Sequence, residues 1–287
     1  MDASRDERQK AARIGLIQPT PDRQACGHPA NGAMRRCRNQ RISPPKPRRI
    51  RGPVIAQESR TEGVSVKPAP TREALVVAIE SAGSGDADFF EFPEREDGLY
   101  LQQDPEEFAA FVHYMATKAP PAKLTLDIGI ASGGQTKFLR DYFRAEKTIV
   151  VDIGQHPQFV HWPRIKQTLN TDLILEIIGD SHASATRRKL LPYRGQVDFA
   201  YVDGDHSYRG LRKDIFLAKE MLRPGGLMVL HDTLAAPGCK RAHADLLESS
   251  HFGLVRNFQN RFGISIWRMQ KFRPPTALNR AFGVGRL

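Results

Sequence analysis

The sequence predicts an α/β fold with a doubly wound, mostly parallel seven-stranded sheet and a disordered basic N-terminal extension. Three observations lead to this prediction. Short apolar runs alternate with helical patterns from residue 124 onward, which is typical of βαβ units. The runs are apolar throughout, as expected for strands buried on both faces of a sheet. Acidic or imidazole side chains follow several runs directly, at the sheet edge where ligands of such folds bind.

The N-terminal extension, residues 1–70, holds most of the net charge. The chain of 287 residues has a formal charge of +11, and this segment has 15 Lys/Arg against 6 Asp/Glu. Such a composition cannot bury enough apolar surface to offset the entropy of ordering, so we predict disorder. Residues 35–51 could attract nucleic acid or an anionic surface. The alternatives are a solvated tail and translation from Met34, and the lack of interleaved aromatic residues favours these two.

Other features limit the class of protein. The cysteines, Cys26, Cys37 and Cys239, form neither a disulfide framework nor a zinc pattern. No apolar run approaches the roughly 18 residues of a transmembrane helix, and the start lacks the apolar centre of a secretory signal. We therefore expect a cytoplasmic protein with no transmembrane segment. The oligomeric state has no signal in the sequence.

An N-terminal helical segment, residues 71–122, precedes the main domain. A helix is predicted over residues 72–81. A second begins with Asp104 as N-cap and Pro105 at the first helical position, and Glu107 completes a capping box. This helix ends near Lys118. The apolar side of this helix is equally compatible with two roles, which are packing on the core and covering a substrate.

The main domain is predicted to span residues 123–270, with residues 271–287 as a tail. The strands are predicted at residues 124–128, 148–151, 173–178, 197–202, 227–230, 253–258 and 263–267. The helices between them are predicted at residues 135–144, 183–191, 211–222 and 239–249. Because the last two strands follow the final helix without another helix between them, we expect an antiparallel edge.

Polar side chains after the strands at 197–202 and 227–230 are the best candidates for chemistry. They are Asp203, Asp205, His206, His231 and Asp232. Carboxyl ends of parallel strands meet at one edge of the sheet, so these side chains are expected to converge there.

A glycine-rich loop follows the first strand, from Gly129 to Gly134. Its spacing matches neither the dinucleotide-binding nor the P-loop pattern. Asp152 ends the second strand, where an acid can accept hydrogen bonds from two ribose hydroxyls, and Asp180 ends the third. Together with Asp127, these acids would repel a pyrophosphate and suit a cationic nucleoside instead.

The motifs of residues 124–269 resemble the class I S-adenosylmethionine-dependent methyltransferases. Within that class the chain is similar to the macrocin and sugar O-methyltransferase type, with its Asp-Gly-x-His-x-Tyr, Pro-Gly-Gly and His-Asp pieces in order. The resemblance implies a Rossmann-like fold and S-adenosylmethionine as methyl donor. It also implies the donor-binding residues, with Asp127 near the amino group, Gly129, Ser132 and Gly133 along the methionine part, Asp152 at the ribose, and Asp180 with Ser181 at the adenine.

The same resemblance implies that Asp203, His231 and Asp232 bind a divalent metal and that His206 is the general base. His231 stands where the better-understood relatives have a carboxylate. A histidine there disfavours Mg²⁺ relative to a transition metal, and absence of any metal is the alternative. A hard cation would lower the pKa of a sugar hydroxyl, and a histidine could take its proton.

The implied activity is O-methylation of a sugar or another small polyhydroxyl acceptor, such as a glycan precursor. Methylation of nitrogen or of a catechol-like ring is an alternative within the family. A nucleic-acid-binding protein that uses the basic extension is the alternative of another class. The sequence leaves the identity of the acceptor open.

Overall fold

The computed structural model describes residues 67–83 and 95–270. The extension before residue 67 and the tail after residue 270 lie outside the described residues, and so do the predictions made for them. None of the helices in the described ranges is long and apolar enough to cross a membrane.

Seven strands of the described chain form one sheet, in the order β3-β2-β1-β4-β5-β7-β6. The strands are β1 (Ala122–Ile128), β2 (Ala145–Asp152), β3 (Asp172–Ile178), β4 (Val197–Val202), β5 (Leu222–Leu230), β6 (Phe252–Phe258) and β7 (Ile264–Met269). Pairings from β3 to β5 are parallel, and β7 runs antiparallel to both β5 and β6. The predicted architecture and its antiparallel edge are confirmed.

The helices are α1 (Arg72–Ala82), α2 (Pro105–Lys118), α3 (Gly134–Tyr142), α4 (Ser184–Leu190), α5 (Tyr208–Met221) and α6 (Pro237–Leu247). Three short helical turns between residues 157 and 168 were not predicted, because each is too short to show a helical period. The strand after α5 begins at Leu222, before the Pro-Gly-Gly turn that was expected to lead into it. A shift in pairing between Val197 and Phe199 absorbs these extra residues.

Two apolar layers cover the sheet. One contains α4, α5 and α6, with Leu190, Leu211 and Ala242 among its buried residues. The other contains α1, α2 and α3, where Phe111 and Phe138 join Tyr201 and Val229 of the sheet. The helical segment before the main domain therefore shares the core of the sheet, which decides in favour of the packing role for α2.

Of the two hydrogen bonds expected in a capping box at the start of α2, the structure has only the one to the Asp104 side chain. Asp104 is the N-cap, and its carboxylate accepts a hydrogen bond from the Glu107 amide at 2.9 Å. The Glu107 carboxylate was expected to return to the cap. It instead accepts hydrogen bonds from the amides of Asn260, Phe262 and Gly263, which lie in the β6–β7 turn.

Candidate active site

Backbone pairing brings the ends of three central strands to one edge. Ile128 pairs with Val202, and Val202 pairs with Leu230. The Asp203 amide donates to the carbonyl of Ile128 at 2.8 Å, and the His231 amide donates to the carbonyl of Val202 at 3.3 Å. The acidic and imidazole residues after β4 and β5 therefore leave the sheet side by side, as the sequence predicts.

Asp203, His206 and Asp232 form a cluster at this edge. The His206 Nε2 atom lies 3.3 Å from Asp203 Oδ1 and 3.2 Å from Asp232 Oδ2. One potential ligand atom from each of these three residues falls within 4.8 Å of the others, the only such group among the residues that the structure describes. Two carboxylates and one imidazole are a donor set that divalent cations accept.

His231 contacts the same carboxylates from the buried side. Its Nδ1 atom lies 3.5 Å from Asp203 Oδ1 and 3.3 Å from Asp232 Oδ1, although neither contact has the geometry of a hydrogen bond. The sequence-based assignment put His231 among the ligands and His206 outside them. In the structure it is His206, and not His231, that joins the two aspartates in the three-residue group.

The charges in this cluster stabilise one another. Burial favours the neutral forms of these aspartates and histidines, but the attraction between opposite charges is stronger. The pKa of His231 is therefore raised well above its ordinary value by Asp203 and Asp232. The pKa of Asp203 is lowered by His231 and His206. His206 also has a raised pKa, because its hydrogen bond to Asp203 and the charge of Asp232 overcome burial. His231 therefore balances part of the charge of the two aspartates in this arrangement.

The backbone of Asp232 adopts a left-handed conformation, with φ of 57°. Such a conformation is uncommon outside glycine and needs support from the surrounding structure. The β6–β7 turn provides that support. The amides of Thr233 and Leu234 donate to the carbonyls of Gly263 and Phe262 at 3.1 and 2.7 Å.

Glu107 in turn holds the β6–β7 turn. Its side chain is 1% exposed, and its two carboxylate oxygens accept from the amides of Asn260, Phe262 and Gly263 at 2.9–3.1 Å. The Phe262 ring lies 6.1 Å from the imidazole of His231. Helix α2 thus supports the acid–imidazole cluster through a turn about 150 residues further along the chain.

We expect Glu107→Gln to lower the free energy of unfolding by roughly 3 kcal/mol, because the glutamine amide would present hydrogens to buried N–H donors. Urea denaturation measures this change. Glu106→Gln is the matched control, since Glu106 pairs with Arg72 at the surface, and a loss within about 0.5 kcal/mol is expected there. Equal stability of the two variants would contradict the bracing role of Glu107.

The glycine-rich loop packs too tightly for other residues. A Cβ atom on Gly129, which has φ of 78°, would lie 2.1 Å from the carbonyl oxygen of Asp203. A Cβ atom on Gly133 would lie 2.1 Å from the ring of Trp162. The Ser132 hydroxyl is occupied, because it contacts the carbonyl oxygens of Leu99 and Tyr100 at 2.8 and 3.0 Å. Ser132 therefore fixes this loop to the segment before α2.

Asp152 closes the loop from the end of β2. Its Oδ2 atom accepts from the amides of Ile130 and Ala131 at 2.7 and 3.2 Å, and its Oδ1 atom accepts from the amide of Gly154 at 2.6 Å. An ionised carboxylate has about four acceptor positions, so one position on Oδ1 is left for a ligand hydroxyl.

Asp127 is the clearest departure from the implied donor site. Its side chain is 0% exposed and forms an ion pair with the equally buried Arg140 at 2.9 Å. The hydroxyl of Thr136 donates to the same carboxylate at 2.8 Å. This arrangement leaves Asp127 no direct access to a ligand amino group, and its role is to hold β1 to α3.

Asp180 and Ser181 follow β3 at the same edge. The Asp180 carboxylate is 55% exposed and accepts from the amide of His182 at 2.8 Å. Ser181 instead donates its hydroxyl to Asp214 at 2.6 Å. Asp214 is fully buried and also accepts from the amide of Asp205 at 3.3 Å, so it connects the loops after β3 and β4.

Sequence reasoning missed four residues of this region. The position of Asp214 on the apolar face of α5 is the signal that could have found it. Ile153 and Ile178 follow or end neighbouring strands and are 52% and 50% exposed, with Gly154 beside Ile178. His156 lies near Asp152 and Asp203, whose charges oppose the lowering of its pKa by burial.

A family model described as a methyltransferase domain matches residues 126–233. The match covers the glycine-rich loop, Asp152, the loop after β3 and the acid–imidazole cluster, and it ends at Thr233. A search of curated proteins finds no match.

Solved structures with a similar fold include three methyltransferases. One is the N-methyltransferase NodS from Bradyrhizobium japonicum WM9 in complex with S-adenosyl-L-homocysteine, with 17% identity, a TM-score of 0.45 and coverage of 62% of this chain and 94% of that chain. The O-methyltransferase TomG from Streptomyces achromogenes has 14% identity, a TM-score of 0.45 and coverage of 69% and 90%. An O-methyltransferase from Bacillus cereus has 13% identity, a TM-score of 0.43 and coverage of 70% and 92%.

Proposed function

We propose that the protein transfers a methyl group from S-adenosylmethionine to a hydroxyl of a sugar or another small polyhydroxyl acceptor. The observation that carries this proposal is the cluster of Asp203, His206 and Asp232 beside the glycine-rich loop, within the residues that match the methyltransferase model. A deprotonating group next to a donor-binding loop is the arrangement that methyl transfer to a hydroxyl needs.

The donor is proposed to bind along the ends of β1, β2 and β3. Gly129 and Gly133 would contact its methionine part, and Asp152 would accept from the ribose. The exposed Ile153 and Ile178 offer apolar surface for a flat adenine ring. The exposed Asp180 could accept a hydrogen bond from the adenine amino group. Bound there, S-adenosylmethionine would supply an electrophilic methyl carbon.

A divalent metal fits the cluster, with Asp203, His206 and Asp232 as proposed ligands. The donor set of two oxygens and one nitrogen is acceptable to Mn²⁺ and other transition metals, and less suited to Mg²⁺. Such an ion would lower the pKa of a bound hydroxyl and orient it. A proton on His231, whose pKa the two aspartates raise, would offset part of their charge and moderate metal affinity.

His206 is the proposed base when no metal occupies its Nε2 atom. In the present arrangement Nε2 faces two carboxylates and so carries a hydrogen, which leaves Nδ1 as the acceptor for a proton. Because the aspartates raise its pKa, His206 releases that proton less readily than an isolated imidazole. His206 cannot bind a metal through Nε2 while that nitrogen carries a hydrogen, so its roles as metal ligand and as base are alternatives. An assay of metal dependence distinguishes them.

A methyl-transfer screen tests the activity. The full chain is incubated with tritiated S-adenosylmethionine and a panel of sugars, amines, catechols and RNA, with and without divalent metal. We expect label in sugars or other polyols. Label confined to amines, catechols or RNA would contradict the acceptor class, and failure to bind the donor in calorimetry would contradict the proposal as a whole.

We expect Asp152→Ala to weaken S-adenosylmethionine binding at least about tenfold, because the ribose and the loop amides lose their shared acceptor. Isothermal titration calorimetry measures the affinity, and circular dichroism checks the fold. Asp172→Ala is the matched control, since Asp172 is an exposed acid at the opposite end of β3. Equal affinity in both variants would contradict the donor assignment.

A further inference from the structure

A groove lies between α2 and β6, on the face of the sheet that α1 and α2 cover. It has a volume of about 380 Å³, within the range of small-molecule sites. Its lining comes from α2 between Ala110 and Lys118, from residues 256–260, and from Arg72. Of the residues proposed for methyl transfer, none lines it.

The lining of this groove is cationic. Lys118 and Arg256 are exposed, and neither has a carboxylate partner among the residues that the structure describes. Arg72 is also present, although Glu106 pairs with it at 2.8 Å. No aspartate or glutamate lines the groove. Lysine and arginine without an internal acid are typical of sites for phosphate or carboxylate groups.

The groove is also lined by aromatic rings and side-chain amides, which can contact the uncharged parts of a ligand. The rings of Tyr114 and Phe258 meet edge to face at 6.2 Å and give the groove an apolar wall, which suits the C–H face of a sugar ring. Gln259 and Asn260, which are exposed, also line the groove and carry side-chain amides.

His113 adds a group with a defined tautomer. Its Nδ1 atom lies 3.0 Å from the carbonyl oxygen of Pro70, which can only accept, so Nδ1 carries the hydrogen. The Nε2 atom is then an acceptor in the neutral ring and a donor to an anion in the protonated ring.

We propose that this groove is a second ligand site, which binds a phosphorylated, hydroxyl-bearing small molecule such as a sugar phosphate. Lys118 and Arg256 bind the phosphate, the two rings contact the sugar, and the exposed amides of Gln259 and Asn260 bind its hydroxyls. The ligand also contacts the outer side of the β6–β7 turn, whose amides bind Glu107 and whose carbonyls hold the residues after Asp232. Binding in the groove does not require methyl transfer, so the two proposals stand or fall separately.

Calorimetry of the full chain with glucose 6-phosphate, glucose and inorganic phosphate tests the proposal. Glucose 6-phosphate is expected to bind at least about tenfold more tightly than either comparator. The double variant Lys118→Ala/Arg256→Ala is expected to weaken that binding at least about tenfold, since two charge-assisted contacts are lost. The matched control is Arg188→Ala/Lys189→Ala, which removes the same charge from exposed positions of α4 on the other face of the sheet.

Three results would overturn the proposal. One is equal affinity for glucose and glucose 6-phosphate, which would mean that charge is not recognised. Another is equal weakening in the groove variant and the control variant, which would mean non-specific attraction. The third is an absence of saturable binding up to about 10 mM glucose 6-phosphate, the weakest range that such a site would serve.

Discussion

Asp203→Asn is expected to lower the turnover number at least about a thousandfold and to leave the affinity for S-adenosylmethionine within about threefold. The carboxylate of Asp203 faces both His206 and His231, so the substitution removes the shared anion of the cluster. The proposed donor contacts come from the ends of β1, β2 and β3, and the Asp203 carboxylate is not among them. Turnover is measured with the best acceptor from the screen, and affinity by calorimetry.

Asp205→Asn is the matched control for this experiment. Asp205 belongs to the same loop, but its carboxylate accepts from the Ser207 amide at 2.8 Å, which an asparagine oxygen can also do. Turnover close to that of the unmodified protein is expected. Full activity of Asp203→Asn would contradict the catalytic role of the cluster. Full activity of the unmodified protein in excess chelator would contradict the metal alone.

Arg140→Met is expected to lower the free energy of unfolding by about 3–5 kcal/mol, because it leaves the Asp127 carboxylate buried without its cation. The Arg140 guanidinium is 0% exposed and donates to both oxygens of Asp127 at 2.9 and 3.0 Å. It also donates to the hydroxyl of Thr125 at 3.0 Å. Urea denaturation followed by circular dichroism measures the loss.

A double variant separates the buried charge from the lost packing. Asp127→Asn/Arg140→Met removes both charges, and we expect it to recover most of the lost stability. Arg187→Ala breaks a surface ion pair with Glu220 and is expected to change stability little. No recovery in the double variant would mean that Arg140 stabilises the fold by its packing on Phe199 instead of its charge.

The strand ends were predictable because the signals that define them are local. Asp152, Asp203 and Asp232 each end or follow an apolar run, and parallel strands bring such ends to one edge whatever the details of packing. The N-cap at Asp104 was predictable for the same reason, since the cap and its donor are three residues apart.

The partners of individual side chains could not be predicted in this way. The role of Glu107 depends on Phe262, 155 residues away, and a capping-box pattern says nothing about a turn at that distance. The sequence position of Asp127 suggests a ligand-binding acid, but in the structure its carboxylate is buried in an ion pair with Arg140. Whether His206 or His231 joins the two aspartates in the three-residue cluster depends on which imidazole lies deeper behind them.

The sequence by itself determined the fold class, the elements of the main domain and the edge where chemistry is expected, because periodicity and turn residues act over short stretches of chain. Only the tertiary structure decided which acids are free and which are paired: Asp127 is buried against Arg140, whereas Asp203 and Asp232 share two imidazoles. The reason is that the charge state and access of a carboxylate depend on burial and on neighbours from distant segments, which only the packed chain brings together.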